Sequence, residues 1–203
     1  MNRDVNSTDS GLNTAVSGYR RELDELIQKL KSPDDKVRAE AAEGLVKLGS
    51  VVVQPLVEIM DDKDFEVART ARRTLWKMAR HSGKPGLKNE KDKICKQISK
   101  ALNSAASIQT KRELLWMLSE IGDGDAVSEI SKFFANKDLR EDARCCIERI
   151  PTNGAVSALK SAFKKADEEF RYALAESLRA RGVKVEGYPS KKLIPTRQTD
   201  IGR

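Results

Sequence analysis

The sequence predicts an all-α fold, a superhelix of about five stacked helix pairs within 203 residues. Three observations predict it. A buried-type face recurs at i, i+4 and i+8, one side of an α-helix: Val37, Ala41, Leu45; Val67, Ala71, Leu75; Thr110, Leu114, Leu118; Leu139, Ala143, Ile147; Phe170, Leu174, Leu178. The heads of these sets lie 30, 43, 29 and 31 residues apart, a period typical of stacked repeats. Three residues before each head stands Asp34, Asp64, Ser107, Asn136 or Asp167. Such side chains cap a helix start by accepting an unpaired amide N–H.

Residues 1–19 are rich in Asn, Ser, Thr, Gly and Asp and have few apolar anchors. They offer too little apolar surface to offset ordering entropy, so a mobile N-terminal arm is expected there. The repeat domain is expected over residues 20–182. Each unit carries a first helix with its own apolar stripe: Leu23, Leu26, Ile27, Leu30; Val53, Leu56, Val57, Met60; Ile94, Ile98, Leu102; Val127, Ile130, Phe133, Phe134; Val156, Leu159, Phe163. A pair of short helices cannot bury both faces alone, so the pairs stack and share one core. Gly49, Gly122 and Gly182 end three second helices, where glycine closes a helix in the left-handed conformation; Ala79 and Pro151 stand there in the other units. The long interval marks an insertion near 81–93, and His81-Ser-Gly-Lys-Pro-Gly86 reads as a turn or loop. Residues 183–203 hold two prolines and read as an irregular C-terminal tail. Val183, Val185, Tyr188, Leu193 and Ile194 are available to hold it against the last pair.

Three segments, DDKVRAEAAEGLVKLG (34–49), DFEVARTARRTLWKMA (64–79) and NKDLREDARCCIERIP (136–151), resemble the HEAT repeat. The Val37-Arg38 and Leu139-Arg140 dipeptides match the family's Val-Arg, with Lys111 and Arg171 in the same column, and Pro55 fits the first turn of a first helix. The resemblance covers residues 20–182 and is greatest to short bacterial HEAT repeats related to those of phycobilisome lyases. It implies a right-handed α-α superhelix (HEAT/armadillo-like solenoid) and a mode of use, protein binding, rather than one activity. Three residues depart from the pattern: Ala68 in the Arg column, Thr110 at an aliphatic head, and Arg181 in a column otherwise filled by Leu48, Met78, Ile121 and Ile150. The last suits a terminal repeat with a polar outer surface.

Charge is concentrated in one band. Between Arg69 and Lys100 stand 11 Lys or Arg against Glu90 and Asp92, a local balance of +9 in a chain of net charge +7. On a helical wheel, the columns two, six and nine residues after each head point away from the core. They hold Ala39, Glu43 and Val46; Arg69, Arg73 and Trp76; Arg112, Trp116 and Ser119; Glu141, Cys145 and Glu148; Tyr172, Glu176 and Arg179. Second helices line the concave side of such superhelices, so Arg69, Arg72, Arg73, Trp76, Lys77, Arg112 and Trp116 form the expected binding residues. Tryptophan among arginines is a common composition for a binding hot spot. The lysines from Lys84 onward are expected to face elsewhere as a solvated loop and helix face.

The expected function is a non-enzymatic, cytoplasmic scaffold that holds an acidic or extended protein partner in its groove. Nucleic-acid binding through the Arg/Trp groove is the alternative, since cations with aromatics also bind phosphates and stacked bases. HEAT-like alkylpurine DNA glycosylases belong to that alternative, with Trp116 and Glu120 spaced to neighbour each other on a helix. A phycobilin-lyase-like accessory role is a further alternative, implied by the repeat type alone. No catalytic residues, metal site or cofactor are expected. His81 is the single histidine, Cys145 and Cys146 have no metal-ligand spacing, and no Gly-rich phosphate loop is present. No run of about 18 apolar residues exists, so no membrane span is expected.

Overall fold

The computed structural model describes the backbone of residues 8–190 and the side chains of residues 18–190. Residues 1–7 and 191–203, including Leu193 and Ile194, lie outside the described residues. Among the described residues there are ten α-helices and no strand. They form five pairs: α1 (Thr8–Leu30) with α2 (Asp35–Leu48), α3 (Val53–Ile59) with α4 (Phe65–Ser82), α5 (Lys88–Ser104) with α6 (Ile108–Ile121), α7 (Gly124–Ser131) with α8 (Arg140–Arg149), and α9 (Asn153–Lys165) with α10 (Glu168–Ala180). The second helices α2, α4, α6, α8 and α10 pack in one row, each against the next. Helices α3, α5, α7 and α9 form a second row behind them, and a continuous apolar core lies between the rows. The chain is an all-α superhelix of stacked helix pairs.

The repeating columns explain these elements. All the i+4 and i+8 residues of the second helices are buried, from Ala41 and Leu45 to Leu174 and Leu178. Four of the expected caps close their helices. Asp34 accepts from the N–H of Lys36 and Val37, Asp64 from Glu66 and Val67, Ser107 from Thr110, and Asp167 from Phe170. Each is worth about 1 kcal/mol. Asn136 does otherwise: its side chain accepts from the Asp138 N–H at 2.9 Å, and α8 starts only at Arg140 without a side-chain cap. Glycines 49 and 182 take left-handed φ values of 73° and 76°, as the turn requires. Gly122 does not, at φ −63°. It is needed for space instead, because a Cβ there would lie 2.4 Å from the Leu118 carbonyl oxygen and 2.9 Å from Ile150 Cδ1.

Several sequence departures have structural reasons. Helix α1 starts at Thr8, earlier than the expected Arg20, because an existing helix extends at one hydrogen bond per residue. The Tyr19 hydroxyl ties α1 to the end of α2, donating to the Leu48 carbonyl at 2.6 Å. The extra residues after Ala79 lengthen α4 and α5 rather than form a long loop: His81 and Ser82 belong to α4, and only Gly83–Leu87 turn. Thr110 is buried where an aliphatic head was expected because Asp61, from the preceding unit, accepts its hydroxyl at 2.7 Å and that of Ser107 at 2.6 Å. Residues 183–190 lie against the last pair, with Val183 and Val185 packed on the core. The Tyr188 ring meets Phe163 and Tyr172 edge-on at 5.1 and 5.2 Å.

Arg181 is not a solvent-facing end residue. It is half-buried, and its guanidinium donates to the carbonyls of Glu148 at 3.0 Å, Ile150 at 2.7 Å and Thr152 at 3.4 Å. It thus serves carbonyls at the end of α8 and in the turn that leads to α9. Arg181→Leu restores the residue type of the other units, yet it is expected to destabilise the fold by about 2 kcal/mol, the scale of a charged hydrogen-bond donor lost from such carbonyls. Urea unfolding reads this as a lower midpoint; an unchanged or raised midpoint contradicts the role.

Candidate functional site

Two neighbouring columns of the second-helix row stand open: six residues after each head, where Glu43, Arg73, Trp116 and Glu176 are exposed and Cys145 is half-buried, and ten residues after it, where Lys47, Lys77, Glu120, Arg149 and Ala180 are all exposed. Trp116 is 44% exposed, and Arg73 has no charged or hydrogen-bonding partner among the described residues. The column nine residues after the head was expected to face outward as well, and it does not. Three residues is a 60° shortfall from a full turn, which swings that column toward the next second helix. Val46, Trp76 and Glu148 are half-buried there, and Ser119 is buried.

Trp76 therefore sits in the seam between α4 and α6. Its indole N–H donates to Glu113 Oε2 at 2.9 Å, and the Arg80 guanidinium lies 4.7 Å from its ring centroid. Glu113 also receives Arg72 at 3.6 Å. The other expected arginines are largely engaged too. Arg69 pairs with Glu66 on its own helix, Lys77 reaches Glu43 on α2, and Arg112 meets Asp142 at 3.2 Å and the Asp138 carbonyl at 3.0 Å. Arg80 approaches Glu120 at 3.6 Å, which commits the carboxylate beside Trp116 to an ion pair. These contacts link successive units. The hydrogen bond from Lys77 holds the Glu43 carboxyl below its usual range. The Phe170 N–H, then Arg140, does the same for Asp167. A depressed carboxyl stabilises the fold above its unfolded value and loses that contribution as pH falls through the folded one. Both groups are at the surface, so each pair is worth little.

The cations nevertheless gather around one cleft of about 550 Å³, lined by Val46, Arg72, Arg73, Trp76, Lys77, Arg80, His81 and Lys84. No carboxylate lines it. It brings together Arg72, Arg73, Trp76 and Lys77 of the expected set and leaves out Arg69, Arg112 and Trp116. Arg69 instead lines an adjoining hollow between α2 and α4, of about 310 Å³, with Arg73, Lys77 and Glu43. Sequence reasoning missed Arg80, His81 and Lys84. Arg80 is four residues after Trp76, a helical-neighbour spacing that was there to read. Lys84 was assigned to the solvated half of the band, but the tight turn after α4 folds it back to the cleft. The later lysines do face away: Lys88, Lys96 and Lys100 line a separate cavity of about 690 Å³ between α5 and α7, with Asp92, Asp123, Asp125 and Glu129.

The thiols are unsuited to nucleophilic work. Burial pushes Cys145 up despite the neighbouring Arg144, raises Cys95 to about 11, and raises Cys146 as well. Among the described residues no grouping of His, Cys, Asp and Glu could hold a metal ion. Among them, too, no helix is long and apolar enough to cross a membrane.

Residues 18–89 match the family model described as HEAT repeats. No curated protein matches the chain. Among solved structures, it is similar to an engineered protein at 20% identity and TM-score 0.42, over 81% of this chain and 82% of that one. It is similar to a designed armadillo repeat protein in complex with the peptide (KR)4 at 19% identity and TM-score 0.43, over 86% of this chain and 95% of that one.

The geometry gives Glu113 a structural role at this site. Glu113→Ala leaves the half-buried Trp76 N–H and Arg72 without their acceptor, and is expected to destabilise the fold by about 1–3 kcal/mol. With Trp116 replaced by phenylalanine, Trp76 emission is expected to shift to longer wavelength as the ring loosens. Unchanged stability and emission would show that water replaces Glu113 at no cost.

Proposed function

We infer that this chain, built of HEAT repeats over residues 18–89, is an interaction scaffold that holds an acidic, extended protein segment against its second-helix row. The observation that carries this reading is the cleft of α4, lined by five Lys or Arg side chains and Trp76 with no carboxylate. It lies one helix from the exposed Trp116. Neighbouring packed helices are about 8–10 Å apart, so one extended segment of a few residues spans both. Arg73 supplies a free guanidinium for a partner carboxylate, a fork that matches carboxylate geometry. Trp116 supplies rigid apolar contact area of the kind that dominates interface energetics.

The distribution of charge favours protein over nucleic acid. A polynucleotide presents a phosphate every few ångströms and needs a continuous track of cations. Along the column six residues after the heads, the residues flanking Arg73 and Trp116 are Glu43, Cys145 and Glu176, and Glu141 and Glu148 stand on α8. These carboxylates take up Lys77, Arg144 and Arg179, so the cations beside them are already paired. A strand running along the row meets these carboxylates; a short acidic segment centred on α4 and α6 does not.

The test uses a fluorescein-labelled decapeptide of alternating glutamate and leucine. Micromolar binding that weakens with salt is expected, with at least a tenfold loss in the Arg73→Ala/Trp116→Ala double variant. Neither side chain has a hydrogen-bond or ion-pair partner among the described residues, and Trp116 is 44% exposed. The variant is therefore expected to lose only the ring's partial burial, about 1–2 kcal/mol, and to stay folded under the binding conditions, which urea unfolding checks. Equal binding by this folded variant, or tighter binding of a single-stranded oligonucleotide than of the peptide, overturns the reading.

A further inference from the structure

We propose that the α4 cleft is a phosphomonoester site, which anchors the bound segment by a phosphorylated side chain. This rests on the reading of the second-helix row as a protein-binding face and specifies what its basic cleft takes. The first argument is charge. Five cations line the cleft, and three carboxylates, Glu113, Glu43 and Glu120, reach Arg72, Lys77 and Arg80 from outside it. The excess is two positive charges, held by Arg73 and Lys84. A carboxylate brings one negative charge, whereas a phosphomonoester brings about 1.5 to 2 at neutral pH. A single phosphomonoester therefore balances the cleft where a single carboxylate does not.

The second argument is preorganisation. Arg80 is held over the Trp76 ring, and Trp76 is itself pinned by Glu113. Arg72 is held by the same carboxylate. These guanidinium groups are therefore fixed before a ligand arrives, and their planar forks suit phosphate oxygens. Arg73 and Lys84 are exposed and free to close from either side. The C-terminal end of α4 opposes an anion, since a helix terminus carries about half a negative charge. Two uncompensated cations outweigh it, and Arg80 and His81 stand in that last turn. The apolar floor of Val46 and Trp76 leaves room for the carbon chain that bears the phosphate.

The experiment measures anisotropy of a labelled decapeptide of alanine and leucine with one central phosphoserine. Its serine and glutamate counterparts, inorganic phosphate and a single-stranded decanucleotide serve as competitors. The phosphopeptide is expected to bind at least tenfold more tightly than either peptide counterpart and than inorganic phosphate. At least tenfold should be lost in Arg73→Ala/Lys84→Ala, whose substituted side chains have no hydrogen-bond or ion-pair partner among the described residues. Equal affinity of the glutamate and phosphoserine peptides overturns the phosphomonoester site while leaving a general acidic-segment scaffold standing. Inorganic phosphate competing as well as the phosphopeptide overturns the anchoring of a protein segment. Tighter competition by the oligonucleotide, or undiminished phosphopeptide binding by the folded double variant, overturns the site itself.

Discussion

Each second helix is flanked by its successor, and that constraint decides what this protein can present to a partner. A helix pair of about 30 residues cannot bury its own apolar surface, so it borrows a face from the next pair. The borrowing covers one flank of every second helix and leaves open the columns six and ten residues after each head. Trp76 and Trp116 look alike in the sequence, yet they fall on opposite sides of this line. Trp76 is drawn into the seam, tied to Glu113 on α6, while Trp116 remains 44% exposed.

The same stacking redistributes the charge of the basic band. Arg72, Lys77, Arg80 and Arg112 each reach a carboxylate on a neighbouring second helix, so they join units as well as face solvent. Exposed pairs of this kind are individually worth no more than about 1 kcal/mol. Their number matters less than what they leave over. After pairing, the free cations at the cleft are Arg73 and Lys84, beside arginines already held in place. A large formal charge in the sequence thus becomes a small, localised and oriented one.

Much of the fold was legible because its signals are local. Helix periodicity and the caps at Asp34, Asp64, Ser107 and Asp167 depend on residues within one or two turns of each other. What was not legible depends on contacts between units. Thr110 looked like a defect until Asp61 was found accepting its hydroxyl. Arg181 looked like a solvent-facing terminus, and instead serves the carbonyls ending α8. The site was half legible for the same reason. Wheel geometry picked out Arg73 and Trp116, but assigning Trp76 needed the position of Glu113. Lys84 was grouped with the solvated lysines because composition marks a turn without saying which way its side chains face; the turn over Gly83–Leu87 keeps Lys84 beside the cleft of α4.

The central claim is that partners engage the second-helix row at α4 and α6. Backbone hydrogen exchange, with and without the glutamate–leucine peptide bound, tests it most directly. Exchange should slow in the last turn of α4, in the turn over Gly83–Leu87 and around Trp116, with α7 and α9 unchanged. Slowing confined to α5 and α7, around the cavity between Lys88 and Glu129, would place binding on the other row and contradict the account.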